Sequence, residues 1–291
     1  IGNFDGVHRA HTELIKSLVQ FARSNNMKSA TYVFDRHPKA LLCPEGVKLI
    51  TQNDVKKDLI LSLGVDEIYF ETLTPELLNT EPEVFIRGIL LKRYDVGAIF
   101  VGYNYRFGRQ GSAGIHELKS FGEKYGFLTF VTEEVKYNGQ TVSSSNVRRA
   151  LTEGNIALVN DLLGRTYTLK GRVVYGKKLG RTIGIPTLNV EIPSNLLAPK
   201  KGVYVSQTEF GGTFYQSITN IGSNPTVENA PVRSETHVFD FNQNIYGEEV
   251  QIHLLNRVRD ERKFQSVDEL KAQINRDIAF AKEYFFQNKR Q

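Results

Sequence analysis

Leu14, Ile15, Leu18, Phe21 and Ala22 fall at spacings of 1, 3, 3 and 1, which keeps them on one face of a helix. The short apolar run 30–34 reads as a buried strand and ends in Asp35-Arg36-His37-Pro38. Thr51 and Asp54 offer a weak capping pair for a helix through Leu59, Leu61 and Leu63 that stops at Gly64. A second strand is predicted at 67–70. Thr80-Glu81-Pro82-Glu83 predicts a capping box, opening a helix through Phe85, Ile86, Ile89, Leu90 and Arg93. Then come a strand at 98–101, a polar glycine-rich loop to 114, a helix at 115–125 and a strand at 128–131. A helix running through Leu151 and then the stretch 156–163, closed by Gly164, end this half. Strands alternating with helices predict βαβ units and a mostly parallel sheet, with ligand loops at the carboxyl ends of the strands. The stretches 2–11, 35–38 and 102–114 occupy those ends.

The texture changes at Tyr167. Six short alternating strands are predicted, at 167–170, 173–175, 203–205, 214–218, 237–241 and 250–254, split by turns such as Gly211-Gly212 and 242–247. They describe a closed antiparallel barrel or a sandwich. Ser266 and Glu269 form a capping box for a last helix, whose stripe is Val267, Leu270, Ile274, Ile278, Ala281 and Phe285. The expected architecture is a Rossmann-like α/β parallel-sheet domain over 1–165, then an antiparallel β-barrel domain with a C-terminal helix over 166–291.

Composition narrows the class. A chain of 291 residues with 40 % apolar and 24 % charged residues has the balance of a globular protein of about two domains. No apolar run approaches the roughly 18 residues of a membrane span, and no membrane partner is expected. Cys43 is the only cysteine, which excludes an internal disulfide, argues against a zinc cluster and fits a reducing cytoplasm. A net charge of +5, spread along the chain, suits anionic small molecules, and no recognition pattern for nucleic acid accompanies it. Ile1 leads straight into a glycine turn, so a strand ahead of Gly2 is expected to lie outside this sequence.

The densest candidate chemistry lies in 171–189. Gly176, Gly180 and Gly184 fall four apart, with Lys177, Lys178 and Arg181 between them. Exposed backbone N–H groups and cations in that pattern hold phosphate oxygens. Thr187 and Asn189 share one face of an extended strand, and two neutral oxygens there suit a magnesium ion that keeps most of its waters. The stretch also reads as a flexible glycine hairpin with a solvated basic tip. It is not a P-loop, since no Gly-Lys-Ser/Thr follows at the required spacing. Near the start, a glycine turn delivers His8 and His11 to the first turn of a helix, where an anion is favoured. Capping and a metal pair are the other readings of these histidines. Ser143 to Arg149 repeats the theme, with serines at a helix start and Arg148 able to clamp phosphate.

Taken in order, these motifs resemble the bifunctional bacterial riboflavin kinase/FMN adenylyltransferase family, or FAD synthetases, from Gly2 to the terminal helix. Gly2-Asn-Phe4-Asp5-Gly6-Val-His8-Arg-Ala-His11 resembles the nucleotidyltransferase signature. Ser143-Ser144-Ser145-Asn-Val-Arg148 resembles the family's phosphate motif, and Gly102-Tyr-Asn104-Tyr-Arg106 its flavin and nucleotide loop. Gly180-Arg181-x-x-Gly184-x-Pro-Thr187-Leu-Asn189 resembles the kinase motif, Glu235 matches its base, and Arg259 falls on the flavin side. The resemblance implies a nucleotidyltransferase-type first domain and a barrel second domain that convert riboflavin to FMN and FMN to FAD. ATP is the co-substrate and Mg²⁺ the metal, held by Thr187 and Asn189. His8, His11 and Arg148 would steady the ATP phosphates, and Glu235 would take the proton of the riboflavin hydroxyl.

Three positions depart from the family pattern. Ala10 stands where glycine is usual, Ser145 where threonine is, and Leu188 where alanine is. Ala10 keeps open a riboflavin kinase with a weakened adenylyltransferase domain, and a non-catalytic flavin- or nucleotide-binding regulator is the reading from a different class. Self-association is left undetermined by the sequence.

Overall fold

The computed structural model describes residues 1–41, 46–176, 179–223 and 231–288. Cys43, Lys177 and Lys178 lie outside the described residues, as do the side chains of Lys39, Leu179 and Arg181. Two compact units divide the chain, Ile1–Ser144 and Ser145–Gln291.

The first unit alternates helix and strand. α1 (Arg9–Ser24) buries Leu14, Ile15, Val19 and Ala22. β1 (Ala30–Phe34), α2 (Asn53–Ser62) and β2 (Glu67–Glu71) follow, with β1 parallel to β2 and Tyr32 opposite Tyr69. β3 (Ala98–Gly102), α6 (Ile115–Tyr125) and β4 (Leu128–Thr132) repeat the arrangement, with Phe100 opposite Phe130. Ile1 and Gly2 run between the two pairs: the Ile1 amino group donates to Phe100 O at 3.1 Å and Gly2 N to Tyr32 O at 3.2 Å. The central strands β1 and β3 are buried over their middle three residues and, Thr31 apart, apolar or aromatic, because both faces are covered, as expected of parallel sheets.

Two predicted caps take another form. The N-cap of α2 is Gln52, with no side-chain capping bond, so Thr51 does not cap this helix. Thr80 also caps nothing, because a short helix, α3 (Pro75–Leu78), precedes it and its hydroxyl donates to Glu76 O at 3.0 Å. The next helix starts at α4 (Pro82–Val84), widens to π-helical turns over Phe85–Leu91 and closes as α5 (Lys92–Tyr94). Glu83, the other half of the expected box, is drawn away to Lys124 at 2.7 Å and to the Tyr125 hydroxyl. A small hairpin, β5 (Lys136–Tyr137) and β6 (Gln140–Thr141), was not foreseen.

The second unit opens with α7 (Ser144–Glu153) and α8 (Ile156–Leu163). Asn160 fastens α8 to the strands beside it, accepting from Tyr167 N at 2.7 Å and donating to Leu254 O at 2.9 Å. Six strands close into an antiparallel barrel in the order β10-β11-β8-β7-β12-β9. They are β7 (Tyr167–Val174), β8 (Leu188–Glu191), β9 (Gly202–Phe210), β10 (Thr213–Ser223), β11 (Val232–Val238) and β12 (Glu249–Asp260). The runs at 167–170 and 173–175 are one strand, not two. The sixth strand is β8, and a short helix, α9 (Leu179–Thr182), precedes it where only a glycine turn was expected.

Inside the barrel a line of hydroxyls replaces part of the expected hydrocarbon. Thr208, Ser217, Ser206, Thr219 and Thr236 are all buried and bonded in succession at 3.0, 2.8, 2.8 and 2.8 Å. Each finds a partner, so their burial carries no desolvation penalty of the unpaired kind.

α10 (Val267–Asn288) is capped as predicted at Ser266, whose Oγ accepts from Glu269 N at 3.1 Å. Its stripe is buried only towards the end: Ala281 and Phe285 pack on Val203, Val205, Ile218 and Phe239, while Val267 is exposed. Burying a phenylalanine of this kind contributes about 2–3 kcal/mol. Asp277, one turn before Ala281, holds Arg259 of β12 in a forked pair, with contacts at 2.7, 3.0 and 3.1 Å.

Candidate functional sites in the two units

In the first unit the glycine turn is strained. Phe4 and Val7 adopt φ of 46° and 40°, on either side of Gly6 at 89°. A left-handed backbone costs a non-glycine residue on the order of 1–3 kcal/mol, and a β-branched valine is especially out of place there. Three contacts offset that strain. Asp5 Oδ1 accepts from Ile50 N at 2.9 Å and Thr51 N at 3.4 Å, and Ser144 Oγ donates to Asp5 O at 2.8 Å. Phe4 itself is buried among Val7, Leu14, Ile15 and Val33.

The product of the turn is a pair of imidazoles at the N-terminus of α1. His8 is the N-cap, its Nδ1 accepting from His11 N at 3.4 Å, so the neutral ring carries its proton on Nε2. The rings of His8 and His11 stack at 3.6 Å, and Phe4 meets His11 edge-on at 5.2 Å. No acidic residue occupies the first turn of α1, so its dipole favours an incoming anion. Among the described residues no group of three His, Cys, Asp or Glu side chains is placed to hold a metal.

Ser145 and Arg148 stand in the first turns of α7, exposed and half-buried respectively. In the loop after β3, Asn104 is exposed, whereas Arg106 folds back on its own loop. Its Nε donates to Gly111 O at 2.8 Å and its Nη2 to Ser112 O at 3.4 Å. Between them Tyr105 is stacked on Phe107, and burial raises its phenol far above the ordinary tyrosine value.

In the second unit the barrel register assembles the candidate kinase site. Glu235 of β11 is the direct partner of Asn189 on β8 and of Asn220 on β10. Directly opposed residues of an antiparallel pair share a face, so Asn189, Glu235 and Asn220 form one row. Thr187 leads into β8, braced by His237, whose Nδ1 donates to Pro186 O at 2.8 Å. Two of the glycines pack closely here, Gly176 against Asn189 and Gly180 against the chain leading to Thr187. A Cβ on Gly176 would lie 2.5–2.6 Å from the Asn189 amide, and one on Gly180 2.3 Å from Ile185 O. Two hard, neutral oxygens in a cradle that only glycine leaves open fit a magnesium ion. A cavity of about 300 Å³ opens beside Thr187, lined by Leu188, Thr236, Phe241 and Tyr246.

The row continues round the barrel through Asn220, Val203 and Arg259. Arg259 is thus level with Glu235 but three strands away, with its guanidinium engaged by Asp277. Asn220 and Asp277 escaped the sequence reading, because neither lies in a local motif. Strand pairing and helix docking bring them in.

Sequence comparison decides the family. The riboflavin kinase family model matches residues 163–285 and the FAD synthetase model residues 1–146. The bifunctional riboflavin kinase/FMN adenylyltransferase of Listeria monocytogenes is 34 % identical over 288 residues, 98 % of this chain and 91 % of the relative. Its counterpart in Escherichia coli K12 is 36 % identical over 287 residues, with the same coverage. The chain belongs to the bifunctional riboflavin kinase/FMN adenylyltransferase family. The Haemophilus influenzae family member is 32 % identical over 295 residues, covering 98 % of this chain and 93 % of its own. A crystal structure described as a macrolide-efflux protein from Streptococcus pneumoniae superposes with a TM-score of 0.88 at 29 % identity, covering 97 % of this chain and 92 % of that one. The two family models follow the two units: the FAD synthetase match ends just past Ser144, and the riboflavin kinase match takes in every barrel strand.

Proposed function

We propose that the barrel phosphorylates riboflavin with ATP to give FMN, and that the α/β domain transfers the adenylyl group of a second ATP to FMN, giving FAD and pyrophosphate. The functional division is 1–165 for adenylyl transfer and 166–291 for phosphorylation. The observation that carries the reading is the placement of Glu235 directly opposite Asn189.

In the kinase step Glu235 takes the proton of the terminal ribityl hydroxyl as that oxygen attacks the γ-phosphorus, and the bond to ADP breaks. Thr187 and Asn189 would hold the magnesium ion, which when bound neutralises charge on the phosphate oxygens. Gly176, Gly180 and Gly184 let the backbone approach the phosphates, with Lys177 and Arg181 supplying cations. Phosphoryl transfer asks mainly for such positioning and charge neutralisation.

In the second step an oxygen of the FMN phosphate attacks the α-phosphorus of ATP and pyrophosphate leaves. His8, through Nε2–H, and His11 donate to phosphate oxygens as charge grows on them. Gly2, Phe4, Asp5 and Gly6 shape the turn, while Ser144, Ser145 and Arg148 steady the triphosphate. Asn104 and Arg106 contact the flavin in this step, and Arg259 the flavin in the kinase step. The enzyme acts in the cytoplasm on small molecules, without nucleic acid or membrane. The single cysteine and the dispersed charge support that placement. Among the described residues no helix is long and apolar enough to cross a membrane.

A timed reaction of the purified chain with riboflavin, ATP and Mg²⁺, resolved by chromatography, tests this. FMN appearing first and FAD after it is the expected course. FMN that accumulates without FAD removes the second activity, and bound flavin without turnover removes both.

A further inference from the structure

Lys56 is the anomaly of the first unit. It sits in α2 with 0 % of its surface exposed, and its Nζ has no hydrogen-bond partner. An uncompensated ammonium in a dry interior is strongly unfavourable, and a leucine or methionine would fill the same space without that cost. Burial pulls its pKa down, opposed by the fields of Asp5 and Asp35. The remaining neighbour of note is the ring of Phe70, 5.9 Å from Nζ. Arg36 pairs with Asp35 from the solvent side at 3.3 Å.

The surroundings of Lys56 join two strand-end loops. Ile50 and Thr51 donate their N–H groups to Asp5 in the glycine turn. Asn53, a turn before Lys56, donates to Asp35 O at 2.7 Å, and Asp35 Oδ1 accepts from Leu73 N at 3.0 Å. Segment 50–56 therefore touches both the turn that presents His8 and His11 and the loop that follows β1. The lysine's charge acts on both carboxylates from the inside.

We infer that Lys56 is a positioning residue for adenylyl transfer, its charge, buried in the segment that ties the Asp5 turn to the Asp35 loop, steadying both carboxylates so that the strained turn presents His8 and His11 to the phosphates. The inference rests on the adenylyl-transfer reading of this unit. Lys56 does not touch substrate, so it acts on the geometry of the transition state rather than on substrate capture.

The test is steady-state FAD formation from FMN and ATP by the full chain and by Lys56→Met, which keeps the length and removes the charge. In a folded K56M, kcat falls by about 10- to 100-fold while KM for FMN and ATP stays within about threefold, the signature of lost alignment. Phosphorylation of riboflavin by the same sample stays at the wild-type rate. A kcat within about twofold of wild type overturns the inference and leaves Lys56 a packing residue. Should K56M lose the folded first unit by circular dichroism, Asp35→Asn decides, since it keeps an acceptor for Leu73 N and removes one of the steadied charges. A fall in kcat at constant KM supports the inference, and an unchanged kcat overturns it. Where both variants fold, the double mutant distinguishes a shared role, with non-additive losses, from two unrelated effects. A wild-type chain that makes no FAD would instead remove the adenylyl-transfer reading itself.

Discussion

Glu235 and Asn189 face each other as direct partners on adjacent antiparallel strands. Forty-odd residues of chain separate them, yet the ladder fixes the carboxylate beside the amide. A slip of one residue between β11 and β8 would turn Glu235 to the opposite face. The arrangement couples the proposed proton acceptor to a proposed metal ligand through backbone pairing.

Replacing Glu235 with glutamine keeps the shape and removes the base. Formation of FMN should fall by roughly 10²- to 10⁴-fold, while FAD formation from supplied FMN is unchanged. Chromatography of one reaction mixture reads both. An E235Q protein that still phosphorylates riboflavin at full rate would leave the proton to some other acceptor.

Gly176→Ala drives a methyl group into the Asn189 amide, where a Cβ would come within 2.5–2.6 Å. Asn189 must shift, and the magnesium needed for half-maximal FMN formation should rise by about 10- to 100-fold, as when other supports of metal ligands are lost. A magnesium titration of the kinase rate measures this.

Ala10 is the second residue of α1, not part of the strained turn. Ala10→Gly is expected to raise FAD formation, because a phosphate can then approach the helix start more closely. It should also lower the stability of the first unit by about 0.5–1 kcal/mol, the usual cost of glycine in a helix. A variant that is destabilised without any gain in rate would show the methyl group to be innocuous.

His253 carries a pH dependence of stability. Burial, the leading influence, lowers its pKa below the ordinary histidine value of 6.5, against a hydrogen bond to Glu209 at 3.2 Å. The fold therefore favours the neutral ring. Its contribution is complete above the unfolded value near 6.5 and is lost as pH falls towards the lower folded value. Thermal melts of wild type and His253→Gln across that range should converge at low pH and separate above it.

Much of this was legible in the sequence, because much of it is local. The stripe of α1 and the cap at Ser266 depend on residues within one or two turns, and the structure keeps both. Thr187 and Asn189 were expected on one face of an extended strand, and of the two only Asn189 lies within β8, which begins at Leu188. The Thr80 box failed for an equally local reason, since Pro75–Leu78 forms a helix whose last carbonyls attract the Thr80 hydroxyl. What no window could reveal is which residues meet across strands. Asn220 beside Glu235, Arg259 held by Asp277 and Lys56 buried near Asp5 all depend on chain closure over long separations. Lysine in particular reads as a surface residue from any pattern.

The hydroxyl line inside the barrel sets how this half of the molecule responds to heat. Unfolding a hydrocarbon core raises the heat capacity, whereas wetting polar groups lowers it. With Thr208, Ser217, Ser206, Thr219 and Thr236 released together, the barrel should gain less than the usual increment of about 12–15 cal/mol/K per residue. Its stability curve is then broad and shallow, and the kinase half keeps its strength over a wider span of temperature than the aromatic-packed half that precedes it.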